Sequence, residues 1–456
     1  MTAVKDLTRG PIGKQLFYLS LPIISTSFIQ MAYSLTDMAW VGRLGTKSVA
    51  AIGAVGILVW LTNSVSLLNK VGAEISVAQA IGAQNMNKAR SYASHNISIS
   101  LIVSLIWASL LFAFAYPILG IYKMEAAIEM EAVRYLRIVL CAFPFLFLSA
   151  TFTGIYNAAG LSKIPFYING SGLILNLVLD PVFIFALDMG TAGAALATLI
   201  SQVVVCLLFF VQLKLRDKLL GSFPFFVRLQ PACIRKIVKL GLPVTLFSGF
   251  FAIINLLMGR ISSTFGGHIG LMTLTAGGQI EGLAWNTSQG FSTGLSAFVA
   301  QNYAAKKKSR ILRAYRSGLI ITTVFGLLLT LLFVFFGGEV FSFFVPGQTA
   351  FEAGQLFLRI EGYTMLFMML EITIQGVFFG AGRTLPPALI SSLFNLLRIP
   401  LAILLAKNGM GLAGIWWAIS LTSLLKGLTA FIWFQAIKKR MLQFESPESG
   451  NIIPNR

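Results

Sequence analysis

SVAQAIGAQNMNKAR, residues 76–90, returns as FVAQNYAAKKKSRIL at 298–312, with Gln79 and Gln301 standing 222 residues apart. The same offset recurs along the chain. YLRI at 135–138 has its partner in FLRI at 357–360, and Gly154 and Gly160 have theirs in Gly376 and Gly382. At slightly different offsets, SLP ending at Pro22 matches GLP ending at Pro243, and LNLVLDP at 175–181 matches FNLLRIP at 394–400. Matches kept in one order mean that the chain contains two copies of one unit.

Each copy is built mainly of apolar residues. Of 456 residues, 56% are hydrophobic and 11% charged, and the mean hydropathy is +0.81, which places the chain in a bilayer. Runs long enough to cross one, about 20 residues each as helix, number twelve, six in each copy. Six is even, so both copies enter the membrane from the same side and are related by an axis along its normal. The expected fold is an all-α integral membrane protein with twelve transmembrane helices in two parallel-related six-helix lobes. The expected boundaries are an N-terminal lobe at 1–218, a basic linker at 219–239, a C-terminal lobe at 240–440 and a tail at 441–456. The first run reaches about Arg43, too long for a signal peptide, and is read as a retained helix.

The formal net charge is +19, but the basic residues alternate with the spans. They come after the second, fourth, sixth, eighth, tenth and twelfth runs, most densely at Lys214–Lys239 and in KKKSRILRAYR at 306–316. The intervening loops are poorer in base or acidic, with Glu125, Glu129 and Glu131 after the third run and Glu339 and Glu352 after the ninth. By the positive-inside rule this predicts a multi-pass protein of the cell membrane with both termini cytoplasmic. The basicity is orientation, so no nucleic-acid partner is expected; the partners are the bilayer and a small-molecule substrate, and the expected state is a monomer. Cys141, Cys206, Cys233, His95 and His268 are too scattered for a zinc site or a disulfide framework and are read as packing residues. No cofactor is expected.

Two carboxylates need a reason to be in such surroundings, where an uncompensated charge costs at least about 2.5 kcal/mol. Asn176 and Asp180 are four residues apart and share a helix face. Asp180 lies about 12 Å from Asp188 at the far end of its span, and Asp37 about 9 Å from Arg43, so both acids sit at similar depth in the outer half. Thr198 enters the next helix at a comparable level, just past the GTAG bend. Two carboxylates brought together out of water hold either a proton or a cation. With an amide and a hydroxyl oxygen they form an oxygen cage suited to H+ or Na+. In the second copy Asp37 falls over Met258 and Asp180 over Ile399, so the acids are not part of the shared scaffold.

The repeat, DMAWVGRLG at 37–45, VAQAIGA at 77–83, GIYNAAG at 154–160 and RTLPP at 383–387, in this order, resemble the multidrug and toxic compound extrusion (MATE) transporters over nearly the whole chain. The acid positions resemble the bacterial and archaeal branch of the DNA-damage-inducible F type. That resemblance implies a cation site formed by Asp37, Asn176, Asp180 and Thr198, an accessory polar network of Tyr135 and Asn157, and a first-helix hinge at Pro22. It further implies a secondary active multidrug efflux antiporter, exchanging cationic or amphiphilic compounds for H+ or Na+ by alternating access.

The second copy has its own ionisable residues within spans: Arg260, Glu281, Glu361, Glu371 and Arg398. Mutual ion pairing is the expected state of most, with Glu281 or Glu371 as possible substrate or second coupling groups alongside Arg260 and Arg398. Lys70 and Glu74, four residues apart, are expected to form a local salt bridge. Lys426 has no assigned partner. A lipid-linked saccharide flippase of the same wider superfamily is the alternative function, although several unopposed cavity bases would then be expected. A membrane-embedded enzyme is the remoter one. GFSTG at 290–294 fits G-x-S-x-G but falls inside a helical run, and no G-x-x-x-x-G-K-[ST] motif is present.

Overall fold

The computed structural model describes residues 4–122, 124–216 and 223–444, and among these it is helical without strands. The membrane-crossing elements are α1 (Ile12–Gly42), α2 (Thr46–Gly82), α3 (Met86–Ala113), α4 (Ala126–Leu140 and Phe143–Ala158), α5 (Lys163–Pro181) and α6 (Gly190–Val211). Pro231–Ala304 would be about 110 Å long as one straight helix, but it turns back at Gly267, whose φ of 57° suits glycine, giving α7 (231–266) and α8 (268–304). The second copy continues with α9 (Lys308–Phe344), α10 (Gln348–Gly362 and Met365–Gly380), α11 (Leu385–Leu405) and α12 (Gly411–Met441). With the further break at Asn408 and Gly409 between α11 and α12, the described residues hold twelve spans, as the repeat requires. Both α4 and α10 are bent, by 46° and 50°. The bends fall at Cys141 and Tyr363, 222 residues apart.

Each half holds two stacked apolar cores. In the first, Val77, Phe152, Tyr156 and Phe209 pack at the end carrying the termini and the basic loops, here the basic face. Val55, Leu136, Phe143 and Ile184 pack at the opposite end. The second half repeats this with Phe298, Phe378 and Phe434, and with Phe341, Phe357 and Trp416. Leu327, Leu328, Leu331 and Phe335 on α9 are instead exposed, as lipid-facing side chains are.

The halves are not simply side by side. Leu16, Leu19 and Ile23 of α1 join the core of the second half. A Cβ on Gly290 would stand 2.8 Å from Ile24 Cα, and one on Gly294 would stand 3.1 Å from Ser20 Cα. Reciprocally, a Cβ on Gly241 of α7 would stand 2.0 Å from the Leu68 carbonyl oxygen of α2. The first helix of each half therefore crosses the second helix of the other, with glycines permitting the approach. GFSTG at 290–294 lies within this crossing, in continuous helix.

The basic face is fastened by matching bonds. Gln79 Nε2 donates to the Gly380 carbonyl at 3.2 Å, and Gln301 Nε2 donates to the Ala158 carbonyl at 2.8 Å. Both donors and both acceptors are 222 residues apart. The segment before α1 lies across the second half: the Leu7 amide donates to Gln301 Oε1 at 2.9 Å, Lys307 Nζ to the Thr8 carbonyl at 2.9 Å and Arg310 to the Gly10 carbonyl at 2.8 Å. The segment before α7 lies on the first half. There Ser98 Oγ donates to the Phe225 carbonyl at 3.1 Å, and the Gln230 amide donates to His95 Nε2 at 3.1 Å. His95, expected only to pack, is thus a linker anchor. Residues 217–222 of the linker region and 445–456 of the tail lie outside the described residues.

Candidate cation site in the N-terminal half

α5 and α6 form an antiparallel pair whose register is set by two close contacts. Gly172 faces Val205, and Gly193 faces the Phe183 backbone. This register brings Thr198 of α6 level with Asn176 and Asp180 of α5. Pro181 comes next, and the helix widens into a π turn over Val182–Ala186 before Asp188 and Gly190 turn with φ of 52° and 57°. Proline removes a donor from the ladder there, so the acid sits where helix geometry changes.

Asn176 and Asp180 are both fully buried, and Asn176 Nδ2 donates to Asp180 Oδ1 at 3.2 Å, as their spacing predicts. Asn176 Oδ1 and Thr198 Oγ1 are buried and have no hydrogen-bond partner among the described residues. Ser201 Oγ, one turn beyond Thr198, is likewise buried without a partner. Oxygens left unsatisfied out of water cost about 1–3 kcal/mol each. A proton on the carboxyl or a small hard cation would give them a partner. This donor set is all oxygen, and no cluster of three His, Cys, Asp or Glu occurs among the described residues. It fits Na+ or H+ and not a soft metal.

The remaining predicted residues are spread through the same half. Asp37 belongs to α1 by backbone, but its side chain lies outside the described residues. Tyr135 is buried in the outer core of the first half, with Ile184 and Ala194. Asn157 is buried beside Glu74, at the inner end of α4, together with Ser296 of the other half. Pro22 lies inside α1 and precedes Ser25, Thr26 and Ser27, whose hydroxyls bond the carbonyls four residues back at 3.0, 2.8 and 3.3 Å.

The C-terminal half carries a different polar core. Lys426 Nζ of α12 lies 3.5 Å from Glu371 Oε2 of α10, both side chains buried. Glu371 Oε1 also accepts from Ser391 Oγ and, at 3.2 Å, from Gln375 Nε2. Arg398 does not pair as expected: its Nε donates to Thr422 Oγ1 at 2.9 Å and its guanidinium to Ser423 Oγ at 3.1 Å. Glu281 is partly buried within electrostatic reach of Arg398 and Lys426, and Glu361 is buried with Oε1 unpartnered. Arg260 is exposed and apart from this network. The expected Lys70–Glu74 salt bridge does not close among the described residues, because Glu74 faces Asn157 of its own half and Ser296 across the interface. Lys426, unassigned by sequence, is the base that completes the buried pair. Its signal was its lone position in an apolar span.

The family model MatE matches residues 22–182 and again 240–404. "Probable multidrug resistance protein NorM" of Thermotoga maritima is 26% identical over 423 residues, covering 89% of this chain and 88% of that protein. "Probable multidrug resistance protein YoeA" of Bacillus subtilis is 25% identical over 460 residues, covering 96% and 97%. A solved structure described as the outward-facing conformation of a multidrug resistance MATE family transporter of the MOP superfamily superposes with a TM-score of 0.91. It is 22% identical, and the match covers 97% of this chain and 100% of that one. A MOP superfamily transporter from Pyrococcus furiosus gives a TM-score of 0.90 over 97% of this chain and 100% of its own, also at 22% identity. These structures share the fold.

Proposed function

The chain belongs to the MatE family of transporters, and from that premise we propose that it is a secondary active multidrug efflux antiporter of the cell membrane, moving cationic or amphiphilic compounds against H+ or Na+. The observation that carries the antiport is the buried Asn176–Asp180 pair, present in only one of two otherwise matching halves, beside the unpartnered Asn176 Oδ1 and Thr198 Oγ1. With the basic face cytoplasmic, ions from outside reach Asp180 and, in this reading, Asp37. Their binding and that of the exported compound bias one two-state equilibrium in opposite directions, which is what couples them.

Alternating access then requires the basic face to open. The Gln79–Gly380 and Gln301–Ala158 bonds break in that step, and α1 bends at Pro22, next to the turn in which the hydroxyls of Ser25, Thr26 and Ser27 give the Leu21, Pro22 and Ile23 carbonyls a second donor. The flippase alternative calls for unopposed cavity bases. Lys426 is paired with Glu371, and Arg398 is hydrogen-bonded by Thr422 and Ser423, which favours drug export.

The test is uptake of a fluorescent organic cation into inverted vesicles under an imposed pH or Na+ gradient. Asp180→Asn is expected to lower gradient-driven uptake by at least about tenfold, the loss of one ionisable coupling group, while the purified protein keeps its thermal midpoint. Undiminished uptake by the variant rejects the site. Movement of a lipid-linked sugar, with no cation moved by either protein, moves the assignment to a flippase.

A further inference from the structure

Beside the segment that precedes α1, the basic end of α9 borders a cavity of about 350 Å3. One wall is Arg310, Arg313, Arg316, Ser317 and Ile320, and the other is residues 10–12. By the 222-residue offset, the α9 wall is the copy of Lys88, Ser91, Ser94, His95 and Ser98 on α3. On α3 the groove is filled by the chain itself: Ser94, Ser98 and His95 bond Pro224, Phe225 and Gln230. On α9 the corresponding chain segment is caught by Arg310 at Gly10 and turns into α1, leaving the groove open next to Arg313 and Arg316. Two serines on the wall that holds a polypeptide in one half have become two arginines that face a cavity in the other.

We propose that this groove binds the headgroup of an anionic phospholipid from the leaflet that meets the basic face. Arg313 and Arg316 are exposed and make no hydrogen bond or ion pair among the described residues, so their guanidinium donors are free for a phosphate. Asp6, the acid within electrostatic reach of Arg310, is already paired with Arg9 at 3.6 Å. The cavity wall itself contains no carboxylate. A lipid is selected over a soluble anion by the apolar surface farther along the same helix face. Arg313 and Arg316 continue at helical spacing into Ile320, Val324 and Leu331, exposed by 66%, 54% and 53%. A basic headgroup pocket that runs straight into an apolar track matches an amphiphile with its phosphate at the interface and its chains along the helix.

The experiment uses the full-length protein in detergent, titrated with phosphatidylglycerol or phosphatidylcholine and monitored by native mass spectrometry and thermal unfolding. Phosphatidylglycerol is expected to be retained over phosphatidylcholine by on the order of thirtyfold from these two arginines, and to raise the Tm. Arg313→Ser with Arg316→Ser, which restores the residues of the other half, is expected to bring retention near parity and abolish that rise, with the lipid-free Tm unchanged. A preference that survives the double substitution overturns the site, as does equal retention of both lipids by the native chain. Glycerol 1-phosphate raising the Tm as much as the lipid at equal concentration would show a soluble-phosphate site instead, and also overturns it.

Discussion

Lys426 Nζ and Glu371 Oε2, 3.5 Å apart and both buried, depend on each other in a way that Asn176 and Asp180 do not. Removing Lys426 leaves a carboxylate hydrogen-bonded by the Ser391 hydroxyl and the Gln375 amide, with Arg398 within electrostatic reach but no charge paired to it. Lys426→Ala is expected to cost about 3–5 kcal/mol of stability, read as a lower thermal midpoint. Lys426→Ala with Glu371→Ala should recover most of it, because no stranded charge remains. An unchanged midpoint in the single variant would show that Glu371 does not depend on this lysine. At Asp180 the reverse is expected: the amide variant keeps its stability and loses coupling. Thr198→Val removes one cage oxygen and should weaken ion dependence of transport without affecting the fold, as measured by the ion concentration at half-maximal uptake. The Asn176–Asp180 pair was legible in the sequence because helix periodicity alone puts positions four apart on one face. Lys426 and Glu371 are 55 residues apart on different helices, and no local spacing brings them together. The Lys70–Glu74 pair failed for the opposite reason. A spacing that permits a salt bridge does not impose one when Asn157 of the same half and Ser296 across the interface are offered instead.

At the scale of the helix, α1 is the element whose packing its sequence hides. A hinge at Pro22 is what the family resemblance implies. The return of three consecutive hydroxyls, at 25–27, onto the carbonyls of residues 21–23 was not readable, because serine and threonine in a helix can equally turn to solvent or to a neighbour. Pro22→Ala should stiffen α1, slow turnover and leave equilibrium binding of the substrate nearly unchanged; binding and transport lost in equal measure would argue for a misfolded helix rather than a stiffened one. The packing of α1 on the opposite half was beyond the sequence. Counting spans and placing the basic loops predicts topology and orientation, but it is silent on which neighbour a hydrophobic helix chooses, since every face of such a helix is apolar. The glycines at 241, 290 and 294 mark those crossings only once the crossing is known.

For the whole molecule, the repeat did what no single motif could: its offset relates the two helix bends, the two glutamine locks and the two grooves. The locks are weak individually, about 0.5–1.5 kcal/mol each, which suits bonds that must open in every cycle. Gln79→Ala with Gln301→Ala is expected to shift the resting equilibrium toward an open basic face, seen as several-fold faster labelling of a cysteine placed at Ala158. Labelling no faster than in the native chain would assign the closure to the segments before α1 and α7 alone. Those two segments have a further consequence. Each half carries, at its own leading end, the piece of chain that binds the other half: residues 4–10 grip α8 and α9, and residues 224–230 grip α3. Covalent continuity through 217–222 is then dispensable for pairing. Co-expressed as two separate polypeptides broken in that stretch, the halves should find each other and reconstitute a working transporter, each bringing its own docking arm.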